Sequence, residues 1–148
     1  MTYPNPDHLG DDTVTTAEET SRYDTATKIL DEIFTPSWRD KQKKTGFRAA
    51  DDFAQICLEH CYADAWARDT LDFRTRSVIC LASLATMGAI DELKLHVEAA
   101  LVNGHTHEDI IEILLQLIPY IGVPKSVQAL RTAGEAFQEL IARDSAQS

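Results

Sequence analysis

A chain of 148 residues, 44% apolar and 26% charged, can build one domain with a real core, and its composition is that of an ordinary soluble globular protein. The net charge of -10, with lysines and arginines scattered, argues against nucleic acid, whose phosphates call for a basic face. No apolar run approaches the roughly 20 residues of a membrane span. The opening MTYPNPDHLGDDTVTT has neither the basic start nor the apolar centre of a signal peptide, so the cytoplasm is the expected location.

Residues 1–14 are polar, with two prolines and three aspartates, and read as a flexible arm ahead of a single domain over 15–148. Thr15-x-x-Glu18 and Thr16-x-x-Glu19 are both capping-box patterns. They predict a first helix with Tyr23, Ala26, Ile29, Leu30 and Ile33 on one face, ending before Pro36. A basic connector, TPSWRDKQKKTG, leads to a second helix over about 49–68. Its expected apolar side carries Phe53, Ile56, Cys57, His60, Ala63 and Ala67, with Trp66 at the edge; Asp51 and Asp52 suit its N-terminal end.

A third helix begins near Asp72, with Gly88 as its left-handed stop. In the fourth, ELKLHVEAAL, the stripe Leu93, His96, Val97, Ala100 and Leu101 places a histidine on the buried face, and Asn103-Gly104 closes the helix. Thr106-x-x-Asp109 caps a fifth, with Ile110, Ile113, Leu114, Leu117 and Ile118 inward and Pro119 kinking its end. This fifth helix is apolar nearly all round, which suits a deep core or a subunit interface. Pro124 fits the first turn of a sixth, running to about Arg143. No strand-like alternation of useful length occurs, so the expected fold is all-α, a compact bundle of about six helices.

Cys57, Cys61 and Cys80 are an odd count in a chain without a recognisable leader, and read as free thiols packed as small core residues. No C-x-x-C pair is present. Metal binding finds only fragments, Glu92 with His96 and His105-x-His107, without H-E-x-x-H or a Cys/His quartet. Phosphate loops and the G-x-S-x-G elbow are also missing. Three groups could carry chemistry: Glu59 with His60; Arg68, Arg74 and Arg76; and His96. Each also has a bland use. A histidine on an apolar face can be a core residue satisfied by one donor and one acceptor, and arginines at helix ends can be solvated or pair with acids.

The pattern W-x-R…L-x-x-R-x-R-S, then E-L-x-x-H, A-x-x-N-G, a glutamate pair and Y-x-G-x-P runs through Trp66, Arg68, Leu71, Arg74, Arg76, Ser77, Glu92, Leu93, His96, Ala100, Asn103, Gly104, Glu108, Glu112, Tyr120, Gly122 and Pro124. Over about 47–140 it resembles the carboxymuconolactone decarboxylase family. The resemblance implies an all-α fold assembled as trimers or hexamers. It also implies decarboxylation, with no cofactor and no metal, of a small anionic lactone in aromatic breakdown. The related alkylhydroperoxidase branch uses a C-x-x-C pair that this chain lacks. The chain also departs from the pattern at Tyr62 and Ala63, where decarboxylase members carry Trp-Gly.

Loss of CO2 from such a lactone sends charge through the ring double bond to the lactone oxygen, and the α carbon must then be protonated. Pre-aimed donors lower such a barrier by roughly 3 kcal/mol each. The implied roles are His96 as proton donor or shuttle, Arg76 as carboxylate anchor or oxyanion donor, and Glu59 as their orienter or a base. Arg68, Arg74, Tyr62, Trp66 and Tyr120 are the implied substrate-binding residues. A different cofactor-free ring isomerase or cyclase, or a non-catalytic helical oligomer, would use the same scaffold. A cavity holding Glu59, Arg76 and His96 together would favour an enzyme; a filled core with His96 bonded to a backbone carbonyl would favour a scaffold.

Overall fold

A computed structural model describes residues 21–35 and 48–146. The arm over 1–14, the capping pairs at Thr15 and Thr16, and all but the first residue of the basic connector lie outside the described residues. The described chain is helical, with no strand among the described residues. In chain order the helices are α1 (Arg22–Ile33), α2 (Arg48–Cys57), a π-helical segment (Leu58–Trp66), α3 (Phe73–Met87), α4 (Ile90–Val102), α5 (His107–Gln116), the one-turn α6 (Ile118–Ile121) and α7 (Val123–Ala146). None is long and apolar enough to cross a membrane.

Local chemistry sets most of these boundaries. Ser21 starts α1, its Oγ accepting from the Asp24 amide at 3.1 Å, so this helix begins later than the threonine pairs suggest. Asp72 caps α3 the same way, and Thr106 with Asp109 forms the expected capping box on α5. Gly88 ends α3 at φ +76°, a left-handed conformation that only glycine adopts without strain. Pro119 and Pro124 stand where a missing N–H does no harm, in the first turns of α6 and α7.

Two apolar clusters organise the packing. One joins α3, α4, α5 and α7 through Leu81, Leu93, Val97, Ile110 and Leu114 against Ala85, Ala100, Ala129, Ala133 and Ala136. Each fully buried Leu or Ile there contributes about 1.5–3 kcal/mol, and the alanines let the helix axes approach. The other gathers Ala26, Leu30, Ile33 and Phe34 of α1 and its C-terminal end with Leu58, Trp66 and Ala99, and with Tyr62, Phe73 and Cys80 packed against them. Helix α4 runs between the clusters, presenting Val97 to one and His96 to the rings of the other.

The second helix departs from the expected register. It is α-helical only to Cys57, and the π turns that follow close with the Ala67 amide on the Tyr62 carbonyl, five residues back. The wider turns change which side faces inward, so Leu58 and Trp66 are buried while Phe53 and Ile56, expected inside, are 68% and 65% exposed. His60, expected on the same apolar side, leaves 80% of its side chain in solvent, 3.6 Å from Asp64. Tyr23 is likewise half-exposed rather than buried with the rest of its face.

Candidate active site

His96 projects from the middle of α4 into the aromatic cluster. The Phe34 ring meets it edge-on at 5.4 Å between centroids, and the Trp66 indole lies tilted at 6.4 Å. Tyr62 continues the wall, 6.2 Å from Phe34 and 6.1 Å from Trp66, and Phe73 closes on the far side of the indole at 6.1 Å. The imidazole is half-buried and makes no hydrogen bond among the described residues. Burial pushes its pKa below the ordinary value near 6.5, and the Glu92 carboxylate one turn back opposes that shift. A half-buried ring whose two nitrogens are uncommitted among the described residues is available to a substrate.

His105 shows the opposite arrangement. Its side chain is 3% exposed, and Nε2 donates to the Arg74 carbonyl at 2.9 Å, leaving Nδ1 buried 4.0 Å from Asp109 Oδ2. It belongs to a latch that ties the start of α3 to the turn between α4 and α5. In that latch Arg74 donates to the Gly104 carbonyl at 2.8 Å and to Asp109 at 2.9 Å, Asn103 donates to the Ser77 hydroxyl at 2.9 Å, and Ser77 donates to the Phe73 carbonyl. The sequence singled out Arg74 for substrate, yet the structure commits its guanidinium to this latch.

Arg76 works on backbone as well, donating to the carbonyls of Leu71 at 3.0 Å and Arg68 at 2.6 Å, so it braces the turn between the π segment and α3. Glu59 accepts from Gln55 at 2.9 Å and lies 3.8 Å from Arg22, which also pairs with Asp64. No hydrogen bond or ion pair joins Glu59, Arg76 and His96 among the described residues. Tyr120 is exposed on α6. Burial pushes the Tyr62 phenol and the Cys80 thiol up. Cys61, expected in the core, is exposed at the surface, and its thiol is raised by partial desolvation and by Cys57 one turn back, so both Cys61 and Cys80 are poor nucleophiles at neutral pH.

A cavity of about 640 Å³ opens between α1 and the turn after the π segment. Trp66 and Phe73 form its apolar wall, and Lys28 and Arg68 stand at its rim. Trp66 thus has the cavity on one side and His96 in contact with its ring, and the volume suits a small molecule, for which roughly 300–1,000 Å³ is usual. The cavity brings together Trp66 and Arg68; His96 and Tyr62 contact the indole without lining the cavity. Neither Glu59 nor Arg76 lines it, so this is not the cavity expected to hold Glu59, Arg76 and His96 together. Phe34 and Lys28 escaped the sequence reading because α1 lies outside the spaced motif. His105 was noticed only in a metal-binding fragment, and its buried bond to backbone was missed because a polar residue beside a helix cap looks solvated; its place directly after Asn103-Gly104 was the available signal.

The fold and this site define an all-α protein with a cavity of small-molecule size against Trp66 and, on the same indole, a half-buried histidine that makes no hydrogen bond among the described residues. The chain belongs to the carboxymuconolactone decarboxylase family, whose sequence profile it matches over residues 51–135. It is 34% identical over 89 residues to the 4-carboxymuconolactone decarboxylase of Acinetobacter baylyi (strain ATCC 33305 / BD413 / ADP1), covering 60% of this chain and 66% of that protein. It is 28% identical over 87 residues to the nitrosuccinic acid decarboxylase npaB of Metarhizium robertsii (strain ARSEF 23 / ATCC MYA-3075), covering 59% and 61% respectively. A third relative, an uncharacterised 15.0 kDa protein from the nqo9-nqo10 intergenic region of Paracoccus denitrificans, is 30% identical over 84 residues, covering 55% and 63%. The chain therefore spans just under two thirds of the length of these relatives.

Proposed function

We propose that the protein is a cofactor-free decarboxylase of a small dicarboxylate in which the departing carboxylate sits on a carbon joined to an electron sink. In a carboxylated butenolide of the 4-carboxymuconolactone type the sink is the unsaturated lactone; in a nitrosuccinate-type substrate it is the nitro group. Either way the C–C bond to CO2 breaks, its electron pair moves onto an oxygen of the sink, and one proton returns to carbon. His96 supplies that proton. The observation that carries this reading is its ring, half-buried between Phe34 and Trp66 with no hydrogen bond among the described residues, where His105 is locked to a carbonyl. The apolar walls strengthen electrostatic interactions within the site and keep the proton from bulk water.

Arg76 acts on the turn that carries Arg68, and Glu59 with Arg22 holds the π segment to α1. The lactone is the first substrate to try, because the relative of that name has the higher identity of the two decarboxylases. Purified protein incubated with 4-carboxymuconolactone, and separately with nitrosuccinate, is expected to release CO2 from one of them. His96→Gln and His96→Ala should lose on the order of 10²-fold or more in kcat while melting near wild type. A Gln variant with wild-type turnover would return His96 to the core. The exposed apolar residues Phe53, Ile56, Met87, Tyr120 and Val123 support assembly into a homotrimer or homohexamer; light scattering that gives a monomer mass at micromolar concentration would refute it.

A further inference from the structure

We infer that Lys28 of α1 and Arg68 hold the carboxylate that the substrate keeps, so that the helix preceding the family-matched segment selects dicarboxylates over monocarboxylates. The inference rests on the decarboxylation reading and adds to it a residue outside the matched 51–135 segment. Both proposed substrate types carry two carboxylates and lose one, and the one that remains needs a partner. Lys28 and Arg68 line the cavity between α1 and the 67–72 turn, and neither is in an ion pair among the described residues.

Four carboxylates share that cavity wall, and they do not act alike. Asp24 accepts from the Ser21 hydroxyl at 2.7 Å. Asp72 is held below its usual range by the Thr75 side chain and by the Thr75 amide, which donates to it at 2.7 Å. Both are engaged at helix starts. Glu32 and Asp69 are exposed and remain to face the two cations, and the guanidinium of Arg76, anchored on the Arg68 carbonyl, adds positive charge beneath the same turn. Beside these carboxylates the cavity offers an anion two exposed cationic side chains, Lys28 and Arg68, over an apolar wall. Arginine can grip a carboxylate with two parallel hydrogen bonds, and lysine supplies a point charge beside it. A carboxylate held there lies against Trp66; the imidazole of His96 meets the same indole at 6.4 Å between centroids and does not line the cavity, so the reacting end of the substrate has to pass the edge of that ring.

Succinate tests this without chemistry, because it has two carboxylates and no electron sink. By calorimetry it should bind the wild-type protein, and roughly tenfold or more weaker binding is expected in Lys28→Met and in Arg68→Met, as for loss of a hydrogen bond to a charged group. Lys28→Arg should keep binding, and His96→Gln should bind like wild type. With the reactive substrate, Lys28→Met should raise KM with kcat little changed. Wild-type protein that does not bind succinate at millimolar concentration, or Met variants that bind it as wild type does, or tighter binding of butylammonium than of succinate, would overturn the assignment. The two readings fail separately. Succinate binding that depends on Lys28 and Arg68, without CO2 release from either substrate, removes the decarboxylation and leaves the anion site. CO2 release with an unchanged KM in both Met variants removes the anion site and leaves the decarboxylation.

Discussion

The two apolar clusters are built from different materials. The aliphatic one, between α3, α4, α5 and α7, is leucine, isoleucine and valine laid against five alanines. Such side chains have no polar edge and fill space at the density of a crystal. The other sets rings and a thiol among Ala26, Leu30, Ile33, Leu58 and Ala99, with four aromatic centroids chained at 6.1–6.2 Å and His96 against two of them. Rings packed edge-on leave gaps and present polar rims. The first cluster holds the four helices together; the second draws on α1, the π segment, α3 and α4 and frames a titratable group. One helix, α4, serves both, so the fold fixes the position of His96 through residues that never touch it.

That contrast can be broken most sharply at Leu93, which is fully buried in the aliphatic cluster one turn before His96. Leu93→Ala should cost about 2–5 kcal/mol of stability, read by chemical denaturation. The folded fraction should retain a turnover per molecule closer to wild type than that of His96→Gln. An equal loss of turnover would mean that the clusters are not separable.

The next effect concerns pH. Because burial lowers the His96 pKa, the imidazolium is the minor form at neutral pH. As a proton donor it should give a kcat that climbs by up to tenfold per unit as pH falls toward the lowered His96 pKa and levels off below it; His96→Gln should show no such climb. Stability should move the other way. The unfolded ring takes its proton at a higher pH than the folded one, so the contribution present above about 6.5 is lost as the solution is acidified. A kcat that falls with acid would make His96 a base.

A smaller shift is expected at Phe34, whose ring edge covers the imidazole. Phe34→Leu keeps apolar bulk and admits water, so an NMR titration should show the His96 pKa moving up toward the ordinary value. An unmoved titration would mean that Phe34 does not keep the ring dry. The smallest effect belongs to the thiols: replacing Cys57 and Cys61 together with serine should leave turnover unchanged, since partial desolvation and the neighbouring Cys57 hold Cys61 protonated. A peroxide-consuming activity that vanishes in the double variant would place the chemistry on sulfur.

The aliphatic cluster was legible because its residues recur at helical spacing, and Leu93, Val97, Ala100, Ile110 and Leu114 could be placed inward from the pattern alone. Capping residues gave both ends of α3, the end of α4 and the start of α5 within a residue or two. By contrast, α4 begins after Ala89 with no side-chain cap, and α5 stops at Gln116, short of the expected end at Pro119, where the separate turn α6 follows. The aromatic site was legible only in part. His96 and Trp66 stood out, but Arg74, Asn103, Gly104 and Ser77, which carry much of the family likeness, turn out to fasten the α3 start to the α4–α5 turn. A spaced motif records which residues go together and does not say whether they hold the fold or touch a ligand. Glu98 makes a related point: nothing in the spacing singles it out, yet it is 6% exposed and accepts from Arg143 at 2.8 Å.

The π turns from Leu58 to Trp66 amount to slack in the winding of one helix. In an α-helix each residue advances the azimuth by about 100°. Removing one residue from this stretch would let it rewind as ordinary helix and swing Trp66 round the axis, away from the imidazole it now meets. The number of residues between Leu58 and Trp66, more than the identity of any one of them, thus decides whether indole and imidazole share a pocket. Two homologues alike at both rings but differing there by one residue would hold different cavities.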